Sequence, residues 1–285
     1  MAGHFQNTFS LLSRFSKLET LQLYSSQQDD RHTAPIIPLE SGAFSQLRNL
    51  TLYDFGPHTT LSILNCLASV TRLTQIALEI NFNSDNKDCV SDIDGFYNTM
   101  LIPTICAQTP HLTHLIIRPI RNDEFYVAIN NPSLEILASL HLQSLTLAQS
   151  HTNVEYLAKL FPHIQTLRWP NQSVTLDQLR QFTAYHQLEH LSMKFDFKLP
   201  HITETLCDRA VLLTIPCVLE SDFGNLDHLS QVEIHKLLVG LIGMWSRPLV
   251  LQQITPFDYP HRDFAAKRRL ERLNKELERV KLALF

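Results

Sequence analysis

The sequence predicts an α/β repeat fold in which short parallel strands alternate with helices, and three observations support this. The spacing L-x-x-L-x-L, with apolar residues at its first, fourth and sixth positions, recurs along most of the chain. Helix-start signals and Pro-His turns recur between the copies. Most steps between copies fall within about 20–29 residues, the range typical of leucine-rich repeats. We therefore predict a leucine-rich repeat solenoid, with a curved parallel sheet on its concave side and helices on its convex side.

Each copy of the repeat predicts one strand, formed by its last four positions. Because successive side chains of a strand point to opposite faces, positions 4 and 6 face the core, while positions 3, 5 and 7 face outward on the concave side. The fourth positions lie 29, 26, 39, 30, 22, 24 and 41 residues apart, so the two longest steps predict inserted loops or a missed degenerate unit. Eight copies begin at Leu18, Leu47, Leu73, Leu112, Leu142, Ile164, Leu188 and, more loosely, Leu229.

The segments between copies predict helices. Thr152 to Glu155 and Thr175 to Gln178 are capping-box sequences, in which both end side chains satisfy backbone donors at a helix start. Thr60 precedes an apolar helical pattern in the same way, but without the second half of the capping box. Pro110-His111 and Pro162-His163 stand before their strands, where proline ends the preceding helix. Each unit is therefore predicted to run strand, turn, helix, turn.

Composition limits the class of protein. The 285 residues, 44% hydrophobic and 18% charged, form an ordinary globular composition. The formal net charge of -4 argues against a nucleic-acid-binding protein, and the 7 glycines include no glycine-rich loop that would cradle phosphates. We expect one elongated repeat domain over residues 1–262 and a C-terminal amphipathic helix over residues 263–285.

Cysteine usage and the lack of sorting signals predict the compartment. The 5 cysteines are an odd number without close pairs, which is typical of reduced thiols in the cytosol or nucleus. Residues 1–15 lack the apolar run of a signal peptide, and no apolar stretch of about 18 residues predicts a membrane span. We therefore expect a cytoplasmic or nuclear protein without a membrane anchor.

The most polar stretch, residues 81–95, predicts a solvated insertion. Within it, Asp92-Ile-Asp94-Gly95 resembles part of a calcium-binding loop. The first and last ligand positions of such a loop would be Val90 and Leu101, which lack side-chain oxygens, so calcium is not expected.

Other segments are less regular. Residues 5–15 predict an apolar helix or loop before the first strand. Residues 198–228 are expected to be irregular, and residues 236–245 predict a helix despite two interior glycines.

The C-terminal segment predicts an amphipathic helix. Its apolar residues recur at spacings of 3 and 4, and Glu271 and Lys275 form a supportive i,i+4 pair. The apolar seam covers only about two heptads, too few to predict a coiled coil. Two interpretations stay open: a cap folded over the last repeat, or an exposed partner-binding helix. The seam residues are Leu270, Leu273, Leu277, Val280 and Leu284.

No catalytic or metal-binding motif stands out. G-x-S-x-G, H-E-x-x-H and C-x-x-C are absent from the sequence. His114 and His190 occupy position 3 of their strands, but no Cys or carboxylate completes a set of metal ligands. We therefore expect a non-enzymatic protein without catalytic residues, metal or cofactor.

The predicted binding surface is the concave face formed by positions 3, 5 and 7. A patch of cations and histidines lies there beside a tyrosine-bearing patch, with no carboxylate expected near the cations. Such a patch would attract an acidic or phosphorylated segment of a protein partner. The alternative is that these cations are only solvated. The candidate residues are Tyr24, Tyr53, His114, Arg118, Arg168, His190 and Lys194.

The repeat units are degenerate, with variable lengths, Pro-His turns and no regular Asn ladder at the ninth position. The ninth residues are Ser26, Phe55, Asn81, Ile120, Ser150, Gln172 and Asp196. Over roughly residues 15–235 the chain resembles the leucine-rich repeat region of fungal F-box-like proteins. The resemblance implies repeats that hold a substrate, joined by an F-box to the adaptor of a cullin–RING ubiquitin ligase. No F-box helices precede Leu18, so ubiquitin ligation is expected only by analogy.

Two functions from different classes follow. The first is a non-enzymatic interaction module, in the manner of a ubiquitin ligase substrate receptor or its remnant. The second is a leucine-rich repeat regulator that wraps a partner enzyme and inhibits or activates it. Purification from native extract distinguishes them, because a cullin adaptor supports the first and one stoichiometric enzyme supports the second.

Overall fold

Strands and helices alternate along the chain, as the repeat pattern predicts. In a computed structural model, the described residues are 2–25, 43–67, 72–82, 92–119, 128–147, 149–150, 154–175, 178, 182, 187–196, 218–221, 230–244, 250–253 and 264–284. The chain divides into two compact units, unit 1 (residues 1–152) and unit 2 (residues 153–285). Each unit is α/β, with parallel strands and accompanying helices.

Unit 1 contains an open parallel sheet. Its elements are α1 (Ala2–Ser13), β1 (Thr20–Tyr24), β2 (Asn49–Phe55), α2 (Pro57–Cys66), β3 (Gln75–Ile80), α3 (Ile93–Gly95), a π-helical segment π1 (Phe96–Leu101), α4 (Ile102–Gln108), β4 (His114–Pro119), β5 (Ala128–Ile129), α5 (Asn131–Ala138), β6 (Ser144–Thr146) and β7 (Gln149–Ser150). The sheet order is β1, β2, β3, β4, β6, and β5 pairs separately with β7. Helix α4 packs against both α2 and α5.

Unit 2 repeats the same design. Its elements are α6 (Val154–Leu160), β8 (Thr166–Thr175), β9 (His190–Asp196), β10 (Val218–Ser221), α7 (Gln231–Met244), β11 (Val250–Gln253) and α8 (Phe264–Leu284). The four strands pair in chain order, and each of these pairings is parallel.

The predicted register is confirmed wherever a predicted strand pair is described. In unit 1 the fourth-position residues face one another from strand to strand, as Leu21 with Leu50 and Ile76 with Leu115. Leu167 and Leu191 do the same in unit 2. Positions 4 and 6 of the predicted copies therefore form one apolar layer within each unit. All seven residues expected to be buried are at most 2% exposed: Leu50, Leu52, Ile76, Leu115, Leu145, Leu167 and Leu191.

A repeated backbone contact joins successive copies just before their strands. The carbonyl of Glu19, at position 2 of its copy, accepts hydrogen bonds from the N–H groups of Arg48 and Asn49, at 2.8 and 3.0 Å. These donors are positions 2 and 3 of the next copy. The same double contact recurs at four further copies, with the carbonyl oxygens of Arg48, Thr74, Thr113 and Gln165 as acceptors. We call this contact the position-2 clamp.

The predicted eighth copy at Leu229 is wrong. Ser230 and Glu233 form a capping box there, with the Ser230 N–H donating to Glu233 Oε2 at 2.7 Å, and α7 follows. Val232, which would be a core residue in a strand, is 64% exposed. The apolar residues of this segment have helical spacing, so the segment forms a helix instead of a strand. Val232 lies on the exposed face of this helix, and another face is buried.

Two strands were missing from the prediction. β10 and β11 continue the register, with Leu219 facing both Leu191 and Leu251. Leu219 follows Leu191 by 28 residues, so the long predicted step contained a missed degenerate unit. Each of these two missed copies has proline at position 1 and a polar residue, Ser221 or Gln253, at position 6. Two of the three apolar signals were therefore absent.

The long step between β3 and β4 contains helix rather than loop alone. Asp92 caps this helical segment, its Oδ1 accepting from the Gly95 N–H at 2.7 Å. The partial calcium-loop sequence is therefore a helix start. Thr60 is not a helix start: α2 begins at Pro57, and the Thr60 hydroxyl donates to the Gly56 carbonyl at 3.0 Å. A proline at the first helical position explains the earlier start.

Other sequence predictions have mixed outcomes. The segment expected to be helix or loop before β1 is the helix α1. Residues 236–245 are helical as far as Met244, although that helix begins earlier, at Gln231. Thr152 lies outside the described residues, as does most of the segment after Thr175 where a helix is expected.

The C-terminal helix packs within unit 2. α8 contacts both α7 and β11. Three of its seam residues, Leu273, Leu277 and Val280, are at most 3% exposed. These contacts favour the cap interpretation, while the expected domain boundary after residue 262 stays a prediction.

Truncating a core leucine tests the register. Leu145→Ala should lower the free energy of unfolding by about 2–5 kcal/mol, because it removes a side chain that is 0% exposed and leaves a cavity. Leu11→Ala is the matched control, since Leu11 is 60% exposed and its loss should change stability by less than about 0.5 kcal/mol. Chemical denaturation measures both variants. Equal effects would contradict the burial of position 4.

Deleting residues 263–285 tests the cap. The deletion uncovers the faces of α7 and β11 that α8 contacts. The melting temperature should fall and the protein should aggregate, because contiguous apolar surface becomes exposed. Thermal unfolding and size-exclusion chromatography provide the readouts. An unchanged melting temperature with a monodisperse truncated protein would instead support the partner-binding helix.

Candidate binding surface

The strand register assembles the outward positions of unit 1 into rows. Position 7 forms a continuous row across four strands, which we call the unit 1 outer row: Tyr24, Tyr53, Glu79 and Arg118. Each member faces the next in the pairing, and neighbouring strands lie about 4.8 Å apart. Three of the seven candidate residues therefore share one row.

The first half of the unit 1 outer row is a tyrosine stack. The rings of Tyr24 and Tyr53 are nearly parallel, with centroids 4.7 Å apart and 17° between their planes. Tyr24 is 68% exposed. Stacked aromatic pairs bury one ring face each and hold both rings in place. The stack is thus a rigid aromatic surface open to solvent, of the kind enriched where proteins bind partners.

The end of β2 holds Tyr53 in position through an unusual bend. Asp54 has a φ of 63°, in the left-handed region, and the pairing of β2 with β3 shifts between Tyr53 and Phe55. The Asn81 side-chain amide donates to Asp54 Oδ1 at 2.6 Å, and the Asn81 N–H donates to the Phe55 carbonyl at 2.9 Å. Asn81 is only 8% exposed. The sequence gives no repeat signal for this bulge.

The second half of the unit 1 outer row carries both charges. Glu79 on β3 faces Arg118 on β4 in the strand register. The expectation of cations without a neighbouring carboxylate is therefore wrong at Arg118. His114 occupies position 3 of β4, the strand that carries Arg118. Its Nδ1 is 2.9 Å from the Thr113 hydroxyl.

Three of the fifth positions are less accessible than predicted, whereas Gln22, at the fifth position of the first copy, is exposed. Thr51, expected to face outward, is only 8% exposed. Thr146 and Ser192 hold the same position in their copies and are 2% and 3% exposed. Their short side chains do not reach past the rows on either side. At these three copies, position 5 therefore adds little accessible surface.

The three candidate residues of unit 2 lie on β8 and β9. Arg168 Nη2 is 3.4 Å from His190 Nε2, so the guanidinium donates and this ring nitrogen accepts. Lys194 pairs with Ser173 at the backbone, after a bulge between Trp169 and Ser173; its side chain lies outside the described residues.

An acidic residue also shares a register position with Arg168 in unit 2. Glu220 on β10 faces Ser192 on β9, and Ser192 faces Arg168 on β8, so all three occupy position 5. Sequence reasoning missed Glu220 because it missed β10. In each unit one candidate arginine therefore shares its row with an acidic residue: Arg118 with Glu79, and Arg168 with Glu220.

The described cysteines are poorly suited to nucleophilic catalysis. Burial raises the pKa of the Cys106 thiol to about 11, and burial also raises the pKa of Cys66. Catalytic cysteines instead have lowered pKa values, because the thiolate is the nucleophile. Among the described residues, no group of three or more His, Cys, Asp or Glu is arranged to hold a metal ion.

Thiol labelling checks the Cys106 environment. Near neutral pH, Cys106 in the native protein should react with iodoacetamide much more slowly than after unfolding in concentrated guanidinium chloride. The reason is that a pKa raised to about 11 leaves almost no thiolate at that pH. Peptide mass spectrometry quantifies the labelling at each cysteine. Equal native and unfolded rates would contradict the raised pKa.

Comparisons with known proteins add no relative. No protein-family model matches the chain, and no curated protein matches it.

Across the described segments, no helix has both the length and the apolar character needed to cross a membrane.

Proposed function

We propose that the chain is a non-enzymatic protein-interaction module built as a leucine-rich repeat solenoid. The observation that carries this proposal is the constant register, in which position 4 faces position 4 in strand after strand. The position-2 clamp supports it, because the same backbone contact recurs from copy to copy. A chain that repeats one unit in this way presents its outward rows as an extended surface.

The unit 1 outer row is the proposed anchor for a protein partner. Tyr24 and Tyr53 supply a rigid aromatic surface, and Glu79 and Arg118 add charges of both signs beside it. Tyrosine and arginine are enriched at the energetic centres of interfaces. A partner segment that carries an apolar or aromatic side chain next to charged groups matches this row.

The acidic or phosphorylated partner stays a proposal for Arg118, Arg168 and Lys194. Glu79 on the neighbouring strand reduces the net attraction that Arg118 exerts on an anion. Cytoplasmic or nuclear localisation also stays a proposal, based on cysteine usage.

By resemblance alone, the module would act as a substrate receptor of a cullin–RING ubiquitin ligase. The alternative is a regulator that wraps a partner enzyme.

Affinity purification from native extract tests the function. The tagged wild-type chain should retain a stoichiometric partner, and Tyr24→Ala/Tyr53→Ala should lose it because the aromatic anchor is removed. Met100→Ala/Ile136→Ala is the matched control, since these exposed apolar side chains lie on π1 and α5, outside the outward rows. Circular dichroism verifies that each variant is folded. Equal retention by both double variants would contradict the proposed anchor.

The identity of the retained partner separates the two functions. A cullin adaptor supports the substrate receptor, whereas a single enzyme whose activity changes on binding supports the regulator. The charge expectation has its own variant, Arg118→Glu/Arg168→Glu, compared with Arg72→Glu/Lys159→Glu outside the outward rows. Loss confined to the first variant, with an affinity that falls as salt rises, supports an acidic partner.

A further inference from the structure

A basic cleft lies between α7 and α8 in unit 2. It has a volume of about 210 Å³, room for on the order of seven water molecules. Gln231 and Ile234 of α7 form one wall. The other wall belongs to α8, where basic residues at spacings of 3 and 4 share one helical face. The residues of that wall are Arg272, Lys275, Glu276 and Arg279.

The one carboxylate that lines the cleft is engaged by its neighbours. Glu276 Oε1 is 3.3 Å from His235 Nδ1, and Glu276 Oε2 accepts from Arg279 Nη1 at 3.0 Å. The hydrogen bond from His235 and then that from Arg279 lower the pKa of Glu276, so it stays ionised near neutral pH. Three cations and this carboxylate leave the cleft with a net charge of +2.

The position of the cleft adds to its positive potential. Gln231 is the first residue of α7, and the backbone dipoles of a helix place partial positive charge at its start. Glu233 and Ser230 already cap this end. The cations of α8 are therefore not needed to complete α7. They add positive charge near the start of α7, where the helix dipole is already positive. A bound anion would offset the repulsion between these positive charges.

We propose that the α7–α8 cleft binds the phosphate group of a phosphorylated serine or threonine in a partner protein. A phosphate monoester carries about −1.5 to −2 charges at neutral pH, close to the charge of the cleft, whereas a carboxylate carries one. Arg272 and Arg279, about two turns apart on α8, each offer paired guanidinium donors to phosphate oxygens, and Lys275 lies between them.

The openness of the cleft favours a phosphorylated protein over a small phosphorylated molecule. Arg272 and Lys275 are exposed, and the Arg279 side chain is 59% exposed. Sites for small molecules bury most of the ligand surface, which this cleft does not. The residues flanking the phosphate would supply further contacts along α7 and α8. The site uses no residue of the outward rows, so it stands independently of the proposed function.

The test measures binding of fluorescent peptide libraries, each with one fixed central residue, to the full chain by anisotropy. The phosphoserine library should bind about tenfold or more tightly than the serine library, because charged hydrogen bonds are gained. It should also bind more tightly than an aspartate library. Arg272→Ala/Lys275→Ala should weaken phosphoserine binding by about tenfold or more. Arg14→Ala/Lys17→Ala removes the same residue types from exposed positions in unit 1 and should leave affinity unchanged within about twofold.

Competition with inorganic phosphate separates the sources of the anion. Inorganic phosphate should displace the phosphoserine library only at far higher concentration than the unlabelled library does. Equal potency of the two competitors would overturn the assignment to a protein partner. Equal binding of the serine, aspartate and phosphoserine libraries would overturn phosphate recognition. Equal losses in the two double variants would overturn the cleft as the site, because attraction would then be a property of the whole surface.

Discussion

The position-2 clamp is the contact on which the order of both units depends. In parallel strands, a slip of one residue would turn every buried leucine toward solvent and every outward residue into the core. The clamp opposes this slip, because one carbonyl, such as that of Thr74, accepts from two consecutive N–H groups of the next copy, Thr113 and His114. Burial of the leucines selects one alignment, and in that alignment the clamp satisfies both donors. The apolar layer, the tyrosine stack and the rows of charge all follow from that alignment.

The core could be predicted from the sequence because burial imposes the same requirement on every copy. Positions 1, 4 and 6 each need an apolar side chain, so leucine marks them. The prediction failed where two of these marks were lost, at the copies containing Leu219 and Leu251. It also failed near Leu229, because three apolar residues can satisfy strand and helix spacings alike, and the capping box of Ser230 and Glu233 decided for helix.

The surface was harder to predict, because alternation gives the direction of a side chain but not its neighbours. Glu79 was visible in the sequence, yet its place beside Arg118 follows only from the register. Glu220 could not be placed without β10. The bend at Asp54 depends on the Asn81 side chain of the next copy, at 2.6 Å, and has no local signal in its own strand. Side chains on different elements meet through tertiary packing, as do the cations that line the α7–α8 cleft.

The burial of Trp169 determines how the stability of each unit can be observed. The indole of Trp169 is 1% exposed, so water is excluded from it in the folded state. Its fluorescence should shift to longer wavelength when water reaches it. Both tryptophans of the chain, Trp169 and Trp245, belong to unit 2. Tryptophan emission therefore reports on unit 2, whereas tyrosine and far-ultraviolet signals include contributions from unit 1 as well. Comparing the two signals during unfolding reveals whether the units lose their structure together.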